Sequence, residues 1–277
     1  MDGDDRDGGT SPSARPRGAA AALGGFWEPA LVVVAILVVW QLAVSTFRIP
    51  IFLVPAPLAV LARLHEQAGL LLTHTLATLL VTLLGFSVAV VLGVAGALAI
   101  AQSRTVERFM LPLLVFSQVV PKIAVAPLLI IWFGFSPKSR VIVAFLICFF
   151  PVLIGTVTGL KSVEAELLDL TRQLRATRWQ TFWKVSFPSA LPHIFAGLKV
   201  AITLAVVGAI VAEWVGSDVG LGYMLLVANG NFDVVLAFAV LVILTLVGVI
   251  LFIGVELLER LVLPWHVSRR LGVHEQI

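Results

Sequence analysis

Long apolar stretches alternate with short polar ones along this chain. The apolar stretches run over residues 27–47, 74–101, 110–135, 139–160, 194–215 and 234–257. Each is close to the roughly 20 apolar residues that an α-helix needs to cross a bilayer. The pattern therefore predicts an all-α integral membrane protein with six transmembrane helices.

Two of these stretches carry further local signals. The second contains small residues at spacings near four, which favour close packing between membrane helices. They are Gly85, Ala89, Gly93 and Gly96. The third contains Pro112, Pro121 and Pro127, and a proline lacks the backbone N–H that continues a helix. We therefore expect kinks or a broken start in the third span, which neighbouring helices would tolerate.

The composition supports the membrane assignment. Hydrophobic residues make up 60% of the chain and charged residues 13%, against roughly 25% charged residues in a soluble protein. The single cysteine, Cys148, lies in an apolar stretch, so no disulfide can form within the chain. The basic residues lie mostly between the apolar stretches, where membrane topology explains them better than nucleic-acid binding does.

The distribution of Lys and Arg predicts the orientation of the spans. With the N-terminus inside, basic residues concentrate in the predicted cytoplasmic segments and few fall outside. The cytoplasmic ones are Arg6, Arg15, Arg17, Arg104, Arg108, Lys161, Arg172, Arg175, Arg178, Lys184, Arg260, Arg269 and Arg270; the outer ones are Arg48, Arg63, Lys138 and Arg140. Both termini are therefore expected in the cytoplasm.

These assignments divide the chain into four regions. Residues 1–25 are rich in Asp, Gly, Ser, Pro and Arg, and we expect them to form a disordered cytoplasmic tail. Residues 26–73 hold the first span and an outer loop. Residues 74–260 hold spans two to six, and residues 261–277 form a cytoplasmic C-terminal tail.

One long polar interval, residues 161–193, separates the fourth and fifth spans on the predicted cytoplasmic side. Leucines spaced by three and four predict a short helix over residues 163–174. Thr177 and Gln180 have the spacing of a capping box, so a second helix should begin at Arg178.

The second helix of this interval carries large aromatic residues. Trp179, Phe182 and Trp183 share one face at i, i+3 and i+4 spacing. We expect Pro188 to end the helix and Pro192 to occupy the first turn of the fifth span. An aromatic face among basic residues fits the groove of a partner protein, and it also fits a membrane surface with basic residues on lipid phosphates. The residues alone leave both interpretations open.

The same interval resembles the EAA loop of permease subunits in binding-protein-dependent ABC importers. The run Val185-Ser186-Phe187-Pro188 matches the end of that loop, I/V-x-L/F-P. The run Asp169-Leu170-Thr171 stands where E-A-A would be, and Arg175 stands where a Gly would be. A Gly there supplies a positive φ that is costly for Arg, so we expect the turn to be built differently here.

Two further runs resemble the nitrate, sulfonate and taurine branch of this family. One joins Ala126-Pro127-Leu128 to Trp132-Phe133-Gly134-Phe135 and resembles A-P-L…W-F-G. The other joins Ala212-Glu213 to Gly220-Leu221-Gly222-Tyr223 and resembles A-E…G-L-G-Y. Together the similarities cover most of the chain.

The resemblance implies a membrane permease subunit for a small, often anionic solute such as nitrate, a sulfonate, taurine or a thiamine-precursor pyrimidine. It implies a homodimer in the bacterial inner membrane, served by an extracytoplasmic solute-binding protein. ATP and Mg would bind to separate ATPase subunits, because this chain has no Walker A sequence, G-x-x-x-x-G-K-[ST]. The chain itself would bind no cofactor or metal and would catalyse no reaction.

By the same resemblance, the polar interval would couple the spans to the ATPase. The aromatic residues would be the anchors and the arginines the rim of the contact. The implied coupling residues are Asp169, Arg172, Arg175, Ala176, Thr177, Arg178, Trp179, Gln180, Phe182, Trp183, Val185 and Pro188.

Lys122 and Glu213 are among the ionisable residues in the predicted spans, where a buried charge costs at least about 2.5–3.5 kcal/mol and needs a partner or a cavity. Lys122 would line the pathway and attract an anion, or would snorkel or hold the kink at Pro121. Glu213 would pair with Lys122 or line an outer gate, or would cap the loop at residues 216–222. Trp132 fits a pathway residue or an interface anchor.

The main alternative function is a self-sufficient ion-coupled transporter or channel, with Lys122 and Glu213 in its ion path. That class predicts inverted repeats, and the proline-rich third span has no match in the sixth. A membrane-bound enzyme is a more distant alternative. The histidines have no metal-ligand spacing such as H-E-x-x-H, and no G-x-S-x-G motif occurs.

Overall fold

A computed structural model describes residues 27–102 and 104–264, and within these ranges it contains helices and no strand. The helices are α1 (Trp27–Thr46), α2 (Pro57–Glu66), α3 (Ala68–Gln102), α4 (Arg104–Val119), α5 (Lys122–Phe133), α6 (Pro137–Lys161), α7 (Ala165–Gln173), α8 (Arg178–Thr181), α9 (Phe187–Gly216), α10 (Leu221–Gly230) and α11 (Val234–Val262). The tail predicted over residues 1–25, and most of the one over 261–277, lie outside the described residues.

The chain divides into two compact units, residues 1–58 and 59–277. In the first unit, α1 is a 20-residue helix of almost purely apolar sequence. Most of its described apolar side chains are exposed, Leu31 at 60% and Val39 at 65% among them. An apolar helix that exposes its side chains in this way suits a lipid environment.

Four helical runs among the described residues are long and apolar enough to cross a membrane. They are Ala68–Ala101, Pro137–Lys161, Arg178–Gly216 and Val234–Val262. These runs correspond to the second, fourth, fifth and sixth predicted spans. The number of six spans stays a prediction.

The third predicted span is two helices, α4 and α5, rather than one. Val120 and Pro121 separate them, because Pro121 offers no backbone N–H and disfavours a helical conformation for the residue before it. The break therefore falls in the middle of the apolar stretch and not at its start.

Helices α6 and α9 form the centre of the second unit, and α3 packs along α6. A Cβ atom added at Gly85 would lie 2.7 Å from the Ala144 Cβ, and one added at Gly93 would lie 2.9 Å from Val152. Ala89 is fully buried in the same interface. The small residues of the second stretch thus allow the close packing that their spacing predicts.

Helix α10 lies between the fifth and sixth predicted spans, where the apolar pattern predicts only a loop. It packs against α9 and α11, and its buried side chains join an apolar cluster with Leu71 of α3 and Val240 of α11. With 10 residues, the helix is too short to register as a span.

Candidate functional site: the coupling segment and an adjoining cavity

The coupling segment, residues 161–193, begins with the exposed helix α7, none of whose side chains is buried. The helix ends in a Schellman motif, in which the Ala176 N–H donates to the Thr171 carbonyl and the Arg175 N–H to the Arg172 carbonyl, both at 3.0 Å. Arg175 has a φ of 54°. The prediction of a different turn is therefore wrong, because two backbone hydrogen bonds hold this arginine in the conformation that favours glycine.

The second helix begins at Arg178, as predicted. The Gln180 N–H donates to the Thr177 Oγ1 at 3.3 Å, and the Thr177 N–H donates to the Gln180 Oε1 at 2.9 Å. These two bonds complete the capping box. Local hydrogen bonds therefore fix the start of the helix directly after the turn at Arg175.

Four aromatic side chains form the aromatic cluster of the coupling segment. They are Trp179, Phe182, Trp183 and Phe187. Neighbouring ring centroids lie 5.2–6.4 Å apart, within the range of favourable aromatic pairs. Trp179 is nevertheless 69% exposed and Trp183 47% exposed. The rings are ordered against one another and still present an uncovered apolar surface.

The helix does not end at Pro188. Residues Phe182–Ser186 form a π-helical turn, closed by the Phe187 N–H donating to the Phe182 carbonyl, and α9 continues from there to Gly216. Pro188 lies in the first turn of α9, where its missing N–H falls at the change of register. Pro192 consequently lies inside α9. The predictions that Pro188 ends the helix and Pro192 opens the span are both wrong.

Residues Arg178–Gly216 thus form one continuous helical run, which we call the lever helix. It carries the aromatic cluster at its exposed end and the fifth predicted span along the rest of its length. The sequence predicts two separate helices here.

The remaining predicted coupling residues lie in α7, in the turn that follows it and along the start of the lever helix. Asp169 and Arg172 form an exposed ion pair at 2.7 Å, a type that stabilises proteins little. Arg175 and Arg178 are exposed, and Val185 is half-buried. Ala176 and Pro188 are also half-buried. The arginines are therefore free to meet another molecule.

A cavity of about 560 Å³ lies in the groove between α6 and α9, and Lys122 lines it from the start of α5. The Lys122 Nζ lies 5.0 Å from the centroid of the Phe150 ring, a cation–π distance. The other polar side chains of the lining are Thr158 and His193, and no described carboxylate lines the cavity. Lys122 therefore has the cavity that an intramembrane charge requires.

Glu213 belongs to a different site and does not line this cavity. It is fully buried, and its Oε2 accepts hydrogen bonds from the Thr78 hydroxyl at 3.1 Å and the Gly222 N–H at 2.7 Å. These bonds tie the end of the lever helix to the loop before α10, which favours the structural role for Glu213 over a pair with Lys122. Trp132 is 68% exposed and does not line the cavity either.

Two more polar residues, His74 and Arg140, hold the same loop, and the sequence alone predicts no such role for them. The Gly220 N–H donates to the His74 Nδ1 at 2.9 Å. The Arg140 guanidinium donates to the Ser217 Oγ at 2.5 Å and to the Val219 carbonyl at 3.4 Å. His74 and Arg140 are far from this loop in sequence, so no local sequence motif predicts these contacts. No group of three or more metal-ligating side chains occurs among the described residues.

A protein-family model described as "Binding-protein-dependent transport system inner membrane component" matches residues 89–264. The formylaminopyrimidine transport permease protein ThiX of Halalkalibacterium halodurans is 38% identical over 86% of this chain and 95% of its own length. The riboflavin transport system permease protein RibX of Chloroflexus aurantiacus is 39% identical over 94% and 99% of the two chains. The taurine transport system permease protein TauC of Escherichia coli is 32% identical over 84% and 87%.

Solved structures of transporters share the fold. The MetNI methionine ABC transporter in an inward-facing conformation superposes with a TM-score of 0.62 and 17% identity, over 71% of this chain and 98% of that one. An amino acid ABC transporter crystallised with histidines superposes with a TM-score of 0.58 and 15% identity, over 72% and 95%. At these identities the similarity concerns the fold alone.

Proposed function

Because the chain belongs to the inner membrane components of binding-protein-dependent transport systems, we propose that it forms the translocation pathway of an ABC importer in a bacterial inner membrane. Two copies would enclose the pathway, with both termini of each in the cytoplasm. Separate ATPase subunits would bind ATP and Mg below the membrane. A solute-binding protein would deliver the solute from outside.

The observation that carries this proposal is the aromatic cluster at the exposed end of the lever helix. Exposed rings that already pack against one another can enter a groove on a partner at a low cost in conformational entropy. Aromatic side chains are also the residues that most often anchor protein interfaces. We therefore assign the coupling segment to the ATPase contact, with the aromatic cluster as its anchor.

Basic side chains complete this contact. Arg172, Arg175, Arg178 and Lys184 are exposed in the same segment as the cluster. Charges at the rim of an interface direct association and orientation more than they add affinity. These residues would therefore set how the ATPase docks rather than how tightly it binds.

The continuity of the lever helix supplies the mechanism. Displacement of the aromatic cluster by the ATPase moves residues up to Gly216 with it, because no break occurs between Arg178 and Gly216. ATP binding would draw the ATPase subunits together, carry the two lever helices with them, and switch the pathway between inward-open and outward-open states.

We propose a small anion as the solute, because Lys122 places a positive charge in a cavity that no described carboxylate lines. Relatives named for taurine and aliphatic sulfonates, each 32% identical, agree with this class. A neutral heterocycle is the second candidate, favoured by the 38–39% identity to permeases named for formylaminopyrimidine and riboflavin.

Affinity purification of the tagged chain from gently solubilised membranes tests the ATPase contact. We expect an ATPase subunit to co-purify with the unsubstituted chain and to be lost from the double variant Trp179→Ala, Phe182→Ala. Phe232→Ala is the matched control, because Phe232 is 85% exposed but lies outside the coupling segment. ATPase that stays bound to the double variant would contradict the coupling assignment. A homogeneous chain without any ATPase would contradict the importer itself.

A further inference from the structure

We propose that the cavity between α6 and α9 is a binding site for the solute anion in transit, with Lys122 and His193 as its recognition residues. This inference rests on the proposed importer function and adds to it a location, a second residue and a link to the lever helix.

The cavity has the dimensions of a small-molecule site. Its volume of about 560 Å³ falls within the roughly 300–1,000 Å³ that such sites occupy. On α6 its wall extends from Ile147 to Thr158, roughly 16 Å of helix. Glycines make the floor, since a Cβ added at Gly155 would lie 3.0 Å from the Gly197 Cα. The two helices therefore touch at their backbones and leave the space above them open.

The charge in the cavity is positive and uncompensated within it. Lys122 is half-buried, and no described carboxylate lies within ion-pair distance of its amine. Lys199, on the lever helix, differs from Lys122 in that it forms an ion pair: its Nζ lies 2.5 Å from a Glu259 carboxylate oxygen. Lys122 is also the first residue of α5, whose start has no side-chain cap and no acidic residue in its first turn. The helix dipole therefore adds to the positive potential there.

His193, the last residue of the coupling segment, also lines the cavity. Its Nδ1 lies 3.5 Å from the Ser162 hydroxyl, and the ring is otherwise exposed to the cavity mouth. An imidazole offers a hydrogen-bond donor in either tautomer. An anion held by Lys122 deeper in the groove would thus meet a second donor on its way to the cytoplasmic side.

The position of His193 connects this site to the ATPase. His193 lies on the lever helix roughly 9 Å beyond Phe187 of the aromatic cluster, whereas Lys122 lies on α5. A displacement of the lever helix therefore changes the separation between the two recognition residues. Since affinity follows that geometry, ATPase closure would raise or lower anion affinity, as alternating access requires.

Cysteine reactivity measures the charge of the cavity directly. Val200 lines the cavity and is 52% exposed, while the native Cys148 is fully buried, so the unsubstituted chain measures background. In membranes that contain the full chain, Val200→Cys is labelled with an anionic sulfonatoethyl and a cationic trimethylammonioethyl methanethiosulfonate. Each rate is divided by that of a free thiol. We expect a preference for the anionic reagent of roughly tenfold, from the positive charge of Lys122 in the same cavity.

Two variants separate the cavity charge from charge elsewhere. Lys122→Met should remove the preference, whereas Lys138→Met should keep it, because Lys138 is exposed and does not line the cavity. Thr158→Cys repeats the measurement at the mouth if Val200→Cys does not fold. An equal rate for both reagents, or an unchanged preference in Lys122→Met, would overturn the anion site. If an uncharged membrane-permeant maleimide reacts and neither charged reagent does, the groove is filled with lipid. That result would also overturn the anion site.

Protection by a solute anion tests His193. Methanesulfonate is the probe, and it should slow the labelling of Val200→Cys severalfold. His193→Ala should lose most of this protection and His193→Gln, which keeps a donor, should recover it. If His193→Ala and His193→Gln are both protected as well as the chain with His193, then His193 is not part of the site. ATPase co-purification does not depend on the cavity. A failure of the labelling experiments therefore leaves the importer assignment intact, and a failure of co-purification is observed in a separate experiment.

Discussion

Arg175 illustrates how the surrounding backbone can override the preference of a single residue. A left-handed conformation costs an L-residue about 1–2 kcal/mol, and that cost is the basis for expecting another turn. The Schellman bonds of Ala176 and Arg175 keep the turn without a glycine. The resemblance locates the turn at the correct residue, but the propensity rule gives the wrong conformation for it.

Among the described glycines, Gly220 has the least space for an added Cβ atom. Its φ is 120°, and a Cβ there would overlap the Glu213 carboxylate. Gly220→Ala should therefore destabilise the chain by about 3 kcal/mol or more, through strain and the loss of buried hydrogen bonds. Size-exclusion chromatography and the thermal unfolding midpoint in detergent measure this loss.

Gly230→Ala is the control for that substitution. A Cβ at Gly230 has no neighbour within 4 Å, so this variant should keep the yield and thermal midpoint of the unsubstituted chain. Equal behaviour of Gly220→Ala and Gly230→Ala would show that the buried network around Glu213 does not constrain the loop.

The capping box and the contacts of Glu213 mark the limit of prediction at this scale. Thr177 and Gln180 are three residues apart, so their mutual bonds follow from sequence alone. Glu213 and Thr78 are 135 positions apart, and only the packing of α3 against α9 brings them together. The alternatives for Glu213 could be listed from the sequence, but choosing among them required the fold.

At the scale of elements, the lever helix is the largest departure from expectation. The rule that a proline ends a helix is sound for a regular α-helix. The π-turn at Phe182–Ser186 shifts the register just before Pro188, and the sequence has no local signal for such a turn. A proposed coupling helix that continues into a predicted span would move together with that span.

A buried ion pair fastens the lever helix to α11. The Lys199 Nζ lies 2.5 Å from the Glu259 carboxylate, with side chains 15% and 8% exposed. Lys199→Met should destabilise the chain by about 3–5 kcal/mol, because it removes one member of a buried ion pair. The thermal unfolding midpoint of the detergent-solubilised chain reports the change.

A second substitution distinguishes this explanation from simple loss of packing. Adding Glu259→Gln to Lys199→Met replaces the carboxylate that Lys199 contacts with a neutral amide, and should recover part of the lost stability. Arg260→Met is the matched control, because the Arg260–Glu256 pair is exposed, with the arginine side chain 61% accessible, and such pairs contribute little. A double variant no more stable than Lys199→Met would contradict the ion-pair account.

At the scale of the whole molecule, the predicted orientation places the coupling segment and the loop before α11 on opposite sides of the membrane. A cysteine at Gln173, which is exposed, should react with an impermeant maleimide only from the cytoplasmic side. Phe232→Cys, at an 85% exposed position, should react only from outside. Labelling of both from the same side would refute the orientation, which rests on the positive-inside rule.

Apolar length predicts the long helices well, because bilayer thickness sets it. The same signal fails for α4 and α5, where Pro121 divides an unbroken apolar stretch, and for α10, which is too short to register. Apolar length cannot predict the cavity either, because only the packing of α5, α6 and α9 places Lys122 and His193 in one lining. Family resemblance supplies the function from sequence, while the structure supplies the lever helix and the cavity.

The central claim is that the lever helix transmits the motion of the ATPase to the pathway. The most direct test measures the labelling rate of Val200→Cys before and after the ATPase is trapped with ATP and vanadate, with and without two glycines inserted after Lys184. The insertion should leave the ATPase bound, because Trp179, Phe182 and Trp183 precede it and are unchanged, but it should abolish the change in rate. Ser189→Ala, which keeps the helix continuous and is not one of the predicted coupling residues, should preserve it. An unchanged response to trapping in the insertion variant would contradict the lever.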